Sequence, residues 1–397
     1  MFENILGHQR IITQLSQEVS HRCLPGGLLF YGDPYAGKLS TALELARVLT
    51  CKKKGAWSCD CSSCRQHRVL DHPYVLMLGS RYFSEETAAA GNALLRSRSE
   101  GSRFLFIRAV RKLTRRFDPL LWEGNEQKLK KIQDPITKLE EELENYYPEA
   151  ELPSESKLEK SLKKIYGACA ELEKVVPRDT IPIDQIRAVN SWVHTTSSNQ
   201  AKIIILENAD KMGDASRNAL LKTLEEPPEG TYFILLSSRK GRILPTIISR
   251  VRQYYFARRT PETAEQVMRK IFRIESPEYR NLRSFFLAWR GVPLERLRAQ
   301  SEHFFSYVWG DSEWEPEQLD EFLQDSQLKT YFVPFLKELS DVLGDYMADP
   351  DRQLPVSYAV LERWNRKIKD ALISFEHYNQ APDLLLEGLL YSMKEMV

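Results

Sequence analysis

The apolar run Leu28-Leu29-Phe30-Tyr31 leads straight into Gly32-Asp33-Pro34-Tyr35-Ala36-Gly37-Lys38, and Ala42, Leu45, Ala46 and Leu49 then recur at helical spacing. A buried strand, a glycine loop and a helix in that order predict a phosphate-binding loop in an α/β sheet. Its glycines let backbone N–H groups face phosphate oxygens, and its lysine reaches the outer phosphates. Gly32, Gly37 and Lys38 fit this scheme. Position 39, where a hydroxyl would hold magnesium, is leucine, which has no lone pair to offer a cation. The sequence therefore predicts a nucleotide cradle, for ATP or ADP, without its metal seat. Ser40, one place later, or a water is what could stand in.

A chain of 397 residues predicts two or three domains. With a formal net charge of +1 the chain is not basic throughout, so any nucleic-acid contact must come from a local patch. No apolar stretch approaches the roughly 20 residues of a membrane span, and Met1-Phe2-Glu3-Asn4-Ile5 does not open a leader pattern. A cytoplasmic protein is expected.

Residues 1–79 read as half of a parallel sheet domain, with a strand at 75–78. The pattern resumes near Ile183 with a helix, the strand Lys202 to Leu206, a helix at 216–224 and a strand at 232–236. Between the halves lies an insertion at 80–176. Leu129, Ile132, Ile136, Leu139 and Leu143 make one heptad seam, and Leu158, Leu162, Ile165, Cys169, Leu172 and Val176 another. Pro148 and Pro153 separate them, which predicts an antiparallel coiled-coil hairpin arm, with Pro135 interrupting or restarting its first helix. Arg103, Arg111, Lys112, Arg115 and Arg116 precede the acidic run at Glu140 to Glu142. These cations either contact DNA phosphates, as in a zinc-containing DNA-binding adaptor, or pair with neighbouring acids on a solvated face. Beyond Phe256 the periodicity is helical to the end. The expected division is a sheet domain at 1–256, a small helical lid at 257–300 and an all-α domain at 301–397.

Cys51, Cys59, Cys61 and Cys64 place four thiols within fourteen residues. That set suits a closed tetrahedral Zn²⁺ knuckle at 51–64, which stabilises and does not catalyse. His67 offers an alternative ligand should Cys59 not reach. The strand ending at Leu206 is followed by Glu207-Asn208-Ala209-Asp210. An ATPase of this type needs an acid there for magnesium and a second to activate water. Glu207 can meet a cation, but Asn208 cannot accept a proton, which leaves that role to Asp210 or to nothing. Arg250 follows Pro245-Thr246-Ile247-Ile248-Ser249 at the end of the sheet region, either as a surface ion-pair residue or as a group reaching a neighbouring subunit's nucleotide.

Several of these pieces stand in one order: Ile5-Leu6-Gly7-His8-Gln9, Gly32 to Lys38, the cysteines, Asp71-His72-Pro73, Glu207 to Met212, Asn218-Ala219-Leu220-Leu221-Lys222-Thr223-Leu224-Glu225-Glu226-Pro227-Pro228, and Pro245 to Arg250. The chain resembles the delta-prime family of clamp-loader subunits of bacterial DNA polymerase III, strongly over 1–79 and 178–260 and weakly beyond. The resemblance is silent on the insertion. It implies an AAA+ P-loop module, a lid and a collar that joins a hetero-pentameric ring with gamma/tau and delta subunits. It also implies work on the sliding clamp and primer-template DNA as part of the polymerase holoenzyme. It makes Arg250 an arginine finger given in trans, with Val251 where the family's motif has cysteine. It puts Ser238 at the polar sensor of the fourth strand, and Glu295 where motor subunits carry a lid arginine. Such a member is a largely static scaffold. The alternative is an active ATPase motor of the gamma/tau type, using Ser40 or a water for the missing hydroxyl.

Overall fold

The computed structural model describes residues 1–177, 180–195, 200–310, 321–348, 356–378 and 380–397. They divide into two compact units, Met1–Arg290 and Gly291–Val397. The first is built on five parallel strands, β1 (Gly27–Gly32), β2 (Val75–Leu78), β3 (Lys202–Leu206), β4 (Thr231–Ser237) and β5 (Arg252–Phe256), in the spatial order β2-β3-β4-β1-β5. Parallel strands covered on both faces need near-continuous apolar runs, and β1 to β4 have them, whereas the edge strand β5 buries only Tyr254 and Phe256. Successive side chains then divide between two cores. Leu28, Phe30, Met77, Ile203, Ile205, Ile234 and Leu236 face the helices α1 (Gln9–Ser20) and α2 (Lys38–Thr50). Leu29, Leu76, Leu78, Ile204, Leu206, Phe233 and Leu235 face the other way.

Past the short helix α3 (Ser62–Arg68), that second core continues into the insertion. Its helices are α4 (Phe83–Ser97), α5 (Glu100–Thr114), α6 (Glu126–Glu144) and α7 (Glu155–Val175), and Phe106, Val110, Leu143, Leu162 and Cys169 belong to the same buried cluster as Leu29 and Leu206. Both heptad seams are helical, and α6 packs along α7 as the expected hairpin, but the pair does not stand apart: α7 packs on α4 and α5, which lack heptad spacing, and the seams join the buried cluster that includes the sheet. Pro135 neither breaks nor restarts α6; the helix runs through it. Pro135 and Lys131, whose carbonyl loses its partner to the proline ring, are exposed, so water can serve that carbonyl.

Beyond α8 (Ile183–Val193), α9 (Asp214–Glu225) and α10 (Pro245–Ile248), the sheet unit ends with α11 (Pro261–Lys270) and α12 (Leu282–Trp289), where Ala264, Met268, Phe272, Phe285 and Phe286 form a small core with Ala89 of α4. The second unit is helical, beginning with Leu294–Trp309 and continuing through Phe332–Ala348, Tyr358–Tyr378 and Pro382–Lys394 around Phe305, Leu336, Leu339, Leu361, Trp364 and Leu390. The division expected at 300/301 falls inside Leu294–Trp309, and the compact units part ten residues earlier. No helix among the described residues is long and apolar enough to cross a membrane.

Candidate functional site

β1 delivers the chain to Gly32, whose φ of 135° and lack of a side chain let the backbone pass Phe256 of β5; a Cβ there would lie 2.0 Å from the Phe256 carbonyl oxygen. Gly37, at φ 94°, opens α2 beneath Arg259, whose Nη2 would be 2.3 Å from an added Cβ. Lys38 folds back on its own loop, donating to the carbonyls of Gly32 (2.7 Å) and Asp33 (2.5 Å). Burial lowers its pKa to about 8, against the opposing pull of Asp33, Asp210 and Glu207. The loop is also held from outside. His8 Nε2 lies 2.7 Å from the Ala36 carbonyl, Tyr35 stacks on Phe286 at 5.1 Å, and the Tyr35 hydroxyl donates to Glu85 at 3.1 Å. Arg259 donates to the Leu6 carbonyl, and its burial brings its pKa down to about 10.

Leu39 packs into the core beneath α2, with 7% of its surface exposed. Ser40 is exposed on the next helical position. The buried hydroxyl nearby is that of Thr41, and it donates to the Gly37 carbonyl at 3.0 Å.

At the end of β3, Glu207 is buried and ion-paired to Arg116, with Arg81 3.6 Å away. Asn208 takes a left-handed conformation at φ 52° and donates through Nδ2 to the Ser80 carbonyl at 2.5 Å. Asp210 is also buried, and accepts a 2.6 Å hydrogen bond from Ser237. The serine turned inward is the neighbour of the one the resemblance pointed to. Ser238 is exposed beyond the end of β4, and Ser237, 1% exposed, is the residue facing the acidic strand end. Strand alternation sends two adjacent serines to opposite sides, and nothing in the pair Ser237-Ser238 says which side each takes.

Arg250 lies between α10 (Pro245–Ile248) and β5. Its Nε donates to Glu225 at 2.9 Å and its Nη1 to the Thr246 carbonyl at 2.7 Å, with about a third of the side chain exposed. Glu225, in the Leu-Glu-Glu-Pro-Pro block, thus fixes the guanidinium at the surface of the sheet unit.

The cysteines come together as expected. The sulfurs of Cys51, Cys59, Cys61 and Cys64 lie within 4.8 Å of one another, and the Cys51 and Cys59 sulfurs are 3.7 Å apart. A tetrahedron of thiolates about 2.3 Å from zinc has edges of about 3.8 Å, so the donor set fits a metal ion such as zinc. Burial raises the Cys61 thiol, but the N–H groups of Cys64 and Lys52 outweigh it and bring it down to about 6. Arg47 donates to Cys64 Sγ at 3.2 Å and to the carbonyls of Gly55 and Ala56, a support for the knuckle that the linear sequence did not reveal. His67 is not among the four; its Nε2 lies 2.7 Å from the Thr50 hydroxyl.

The cations of the insertion are largely spent on internal partners. Arg111 pairs with Glu140 at 2.8 Å, Lys112 with Glu86 and Arg115 with Asp71, while Arg103 caps the carbonyls of Tyr147 and Ala150. The pairing with acids is seen, but Arg111, Lys112 and Arg116 make it buried in the fold and not on the solvated face expected.

Residues 7–260 match the family model described as DNA polymerase III, delta subunit. Among curated proteins the chain is similar to DNA polymerase III subunit delta' of Haemophilus influenzae, at 30% identity over 35% of this chain and 44% of that protein. It is likewise similar to that of Escherichia coli, at 38% over 20% and 24%. A shorter match joins it to DNA polymerase III subunit tau of Bacillus subtilis, 33% identical over 26% of this chain and 19% of that protein. The matched segments span less than half the length of these relatives. With the parallel P-loop sheet, the family match shows that the chain belongs to the DNA polymerase III delta-subunit family, as a clamp-loader subunit of the delta-prime type.

Proposed function

We propose that this chain is a non-hydrolysing member of the clamp-loader ring, which presents Arg250 to ATP on an adjacent gamma/tau subunit and thereby helps place the sliding clamp on primer-template DNA. The observation that carries the reading is the strand end after β3. The residue in the water-activating position is an amide, and that amide is already bonded to the Ser80 carbonyl. Leu39, turned into the core, removes the magnesium hydroxyl independently. Two separate losses in one reaction argue against turnover more strongly than either alone. Gly32, Gly37 and Lys38 keep the shape of a nucleotide cradle, with Lys38 engaged by its own loop. The four cysteines hold Zn²⁺ as a structural ion, and the subunit works in the cytoplasm with delta and gamma/tau subunits.

The test is the ATPase rate of a reconstituted complex carrying Arg250→Ala in this chain. An arginine finger is worth about 10³ to 10⁵ in rate at the site it serves, so that site should fall silent while assembly is unchanged. Undiminished turnover by a correctly assembled complex would remove Arg250 from the mechanism. Mg²⁺-dependent turnover by the isolated chain, abolished by Lys38→Ala, would instead establish the motor reading.

A further inference from the structure

The insertion reaches the nucleotide end of the sheet through two side chains. In a working P-loop ATPase the acid at the end of this strand serves a hydrated divalent cation, which requires free carboxylate lone pairs. Here both oxygens of Glu207 face guanidinium groups: Oε1 is bonded to Arg116 Nη2, and Oε2 lies 3.6 Å from Arg81 Nη1. Both partners are themselves fixed. Arg116, 3% exposed, follows α5 in the turn Arg115–Phe117, with its guanidinium over the Phe83 ring at 5.7 Å and its backbone carbonyl accepting from the Trp122 indole at 2.9 Å. Arg81 is held by Glu86 at 3.0 Å, and Glu86 by Lys112. Three cations and two acids are thus linked next to α4, α5 and β3, with Glu85 and Arg108 acting on the same set. A dication approaching Glu207 would meet two immobile positive charges at contact distance, in a site where water screens them poorly.

We infer that Arg116 and Arg81 are the internal occupants of the divalent-cation seat, so that the insertion closes the metal side of the P-loop. This is a third obstacle to hydrolysis, separate from Leu39 and Asn208. It implies that restoring a hydroxyl at position 39 and an acid at position 208 would not by itself restore metal binding. The inference deepens the non-hydrolysing reading but stands apart from Arg250, because its test reads metal occupancy of the isolated chain and not turnover.

The probe is Fe²⁺ with ascorbate and peroxide, which cuts backbone beside a bound metal, applied to the full zinc-loaded chain with and without ADP and mapped by mass spectrometry. The wild type should give no cleavage between residues 205 and 210, and Arg81→Met/Arg116→Met should be cleaved there. If the double variant loses zinc or cooperative unfolding, the single Arg116→Met, which replaces a buried guanidinium with an apolar chain, carries the comparison. Cleavage at 205–210 in the wild type, or its absence in a folded variant, would overturn the assignment.

Discussion

Leu39 shows how one side chain can settle both packing and chemistry. Its side chain is committed to the core and offers no lone pair to a cation. Leu39→Thr should cost about 1–3 kcal/mol in urea denaturation, since it removes buried methyl volume and introduces a hydroxyl, and it should yield no ATP turnover. Glu86 makes a second residue-level case. Burial would raise its pKa, but Lys112 and Arg81 outweigh burial and hold it near 2, below the ordinary value of 4.5. A carboxylate depressed in the folded state stabilises above its unfolded pKa, and that contribution is lost as pH falls. Stability should therefore drop between about pH 4.5 and 2, and the drop should flatten in Glu86→Gln when denaturation midpoints are followed against pH. Lys38, Leu39 and the four cysteines were legible because their meaning lies in local spacing. The partner of Glu207 was not, since Arg116 stands 91 residues away in sequence.

At the scale of elements, periodicity located the helices of the insertion but could not say what their seams would meet. Leu158, Leu162, Ile165 and Cys169 are all buried, as heptad positions should be, yet they lie in one cluster with sheet residues such as Leu76 and Leu206. A seam specifies an apolar stripe, and several faces can cover such a stripe. α4 and α5 carry alanines, arginines and aromatics without a heptad rhythm, so no seam marked where they run. Leu162→Ala should consequently destabilise the whole sheet unit by about 2–5 kcal/mol, with tryptophan fluorescence and circular dichroism shifting together. A detached arm would instead melt on its own and leave the sheet's midpoint unchanged. The end of β4 makes a similar case: its apolar run was readable and the resemblance pointed to Ser238, but the serine that turns inward onto Asp210 is Ser237.

For the molecule as a whole, the two compact units make separate demands. Residues 1–290 include both sheet cores and the α11–α12 cluster. Expressed alone, they should unfold cooperatively in differential scanning calorimetry and keep one zinc per chain by atomic absorption. Removing that metal with a chelator should free four thiols to a colorimetric reagent and lower the melting temperature, because structural zinc contributes directly to folding. By itself the sequence determined the parallel sheet, the loop and its missing hydroxyl, the cysteine cluster and the helical C-terminal region, since each is written in spacing over a few residues. Only the tertiary structure decided that the insertion would lie against the sheet, that its arginines would neutralise Glu207, and that Ser237 would face Asp210. Those outcomes join residues far apart in the chain, and burial leaves a charge no alternative to the partner that packing brings beside it.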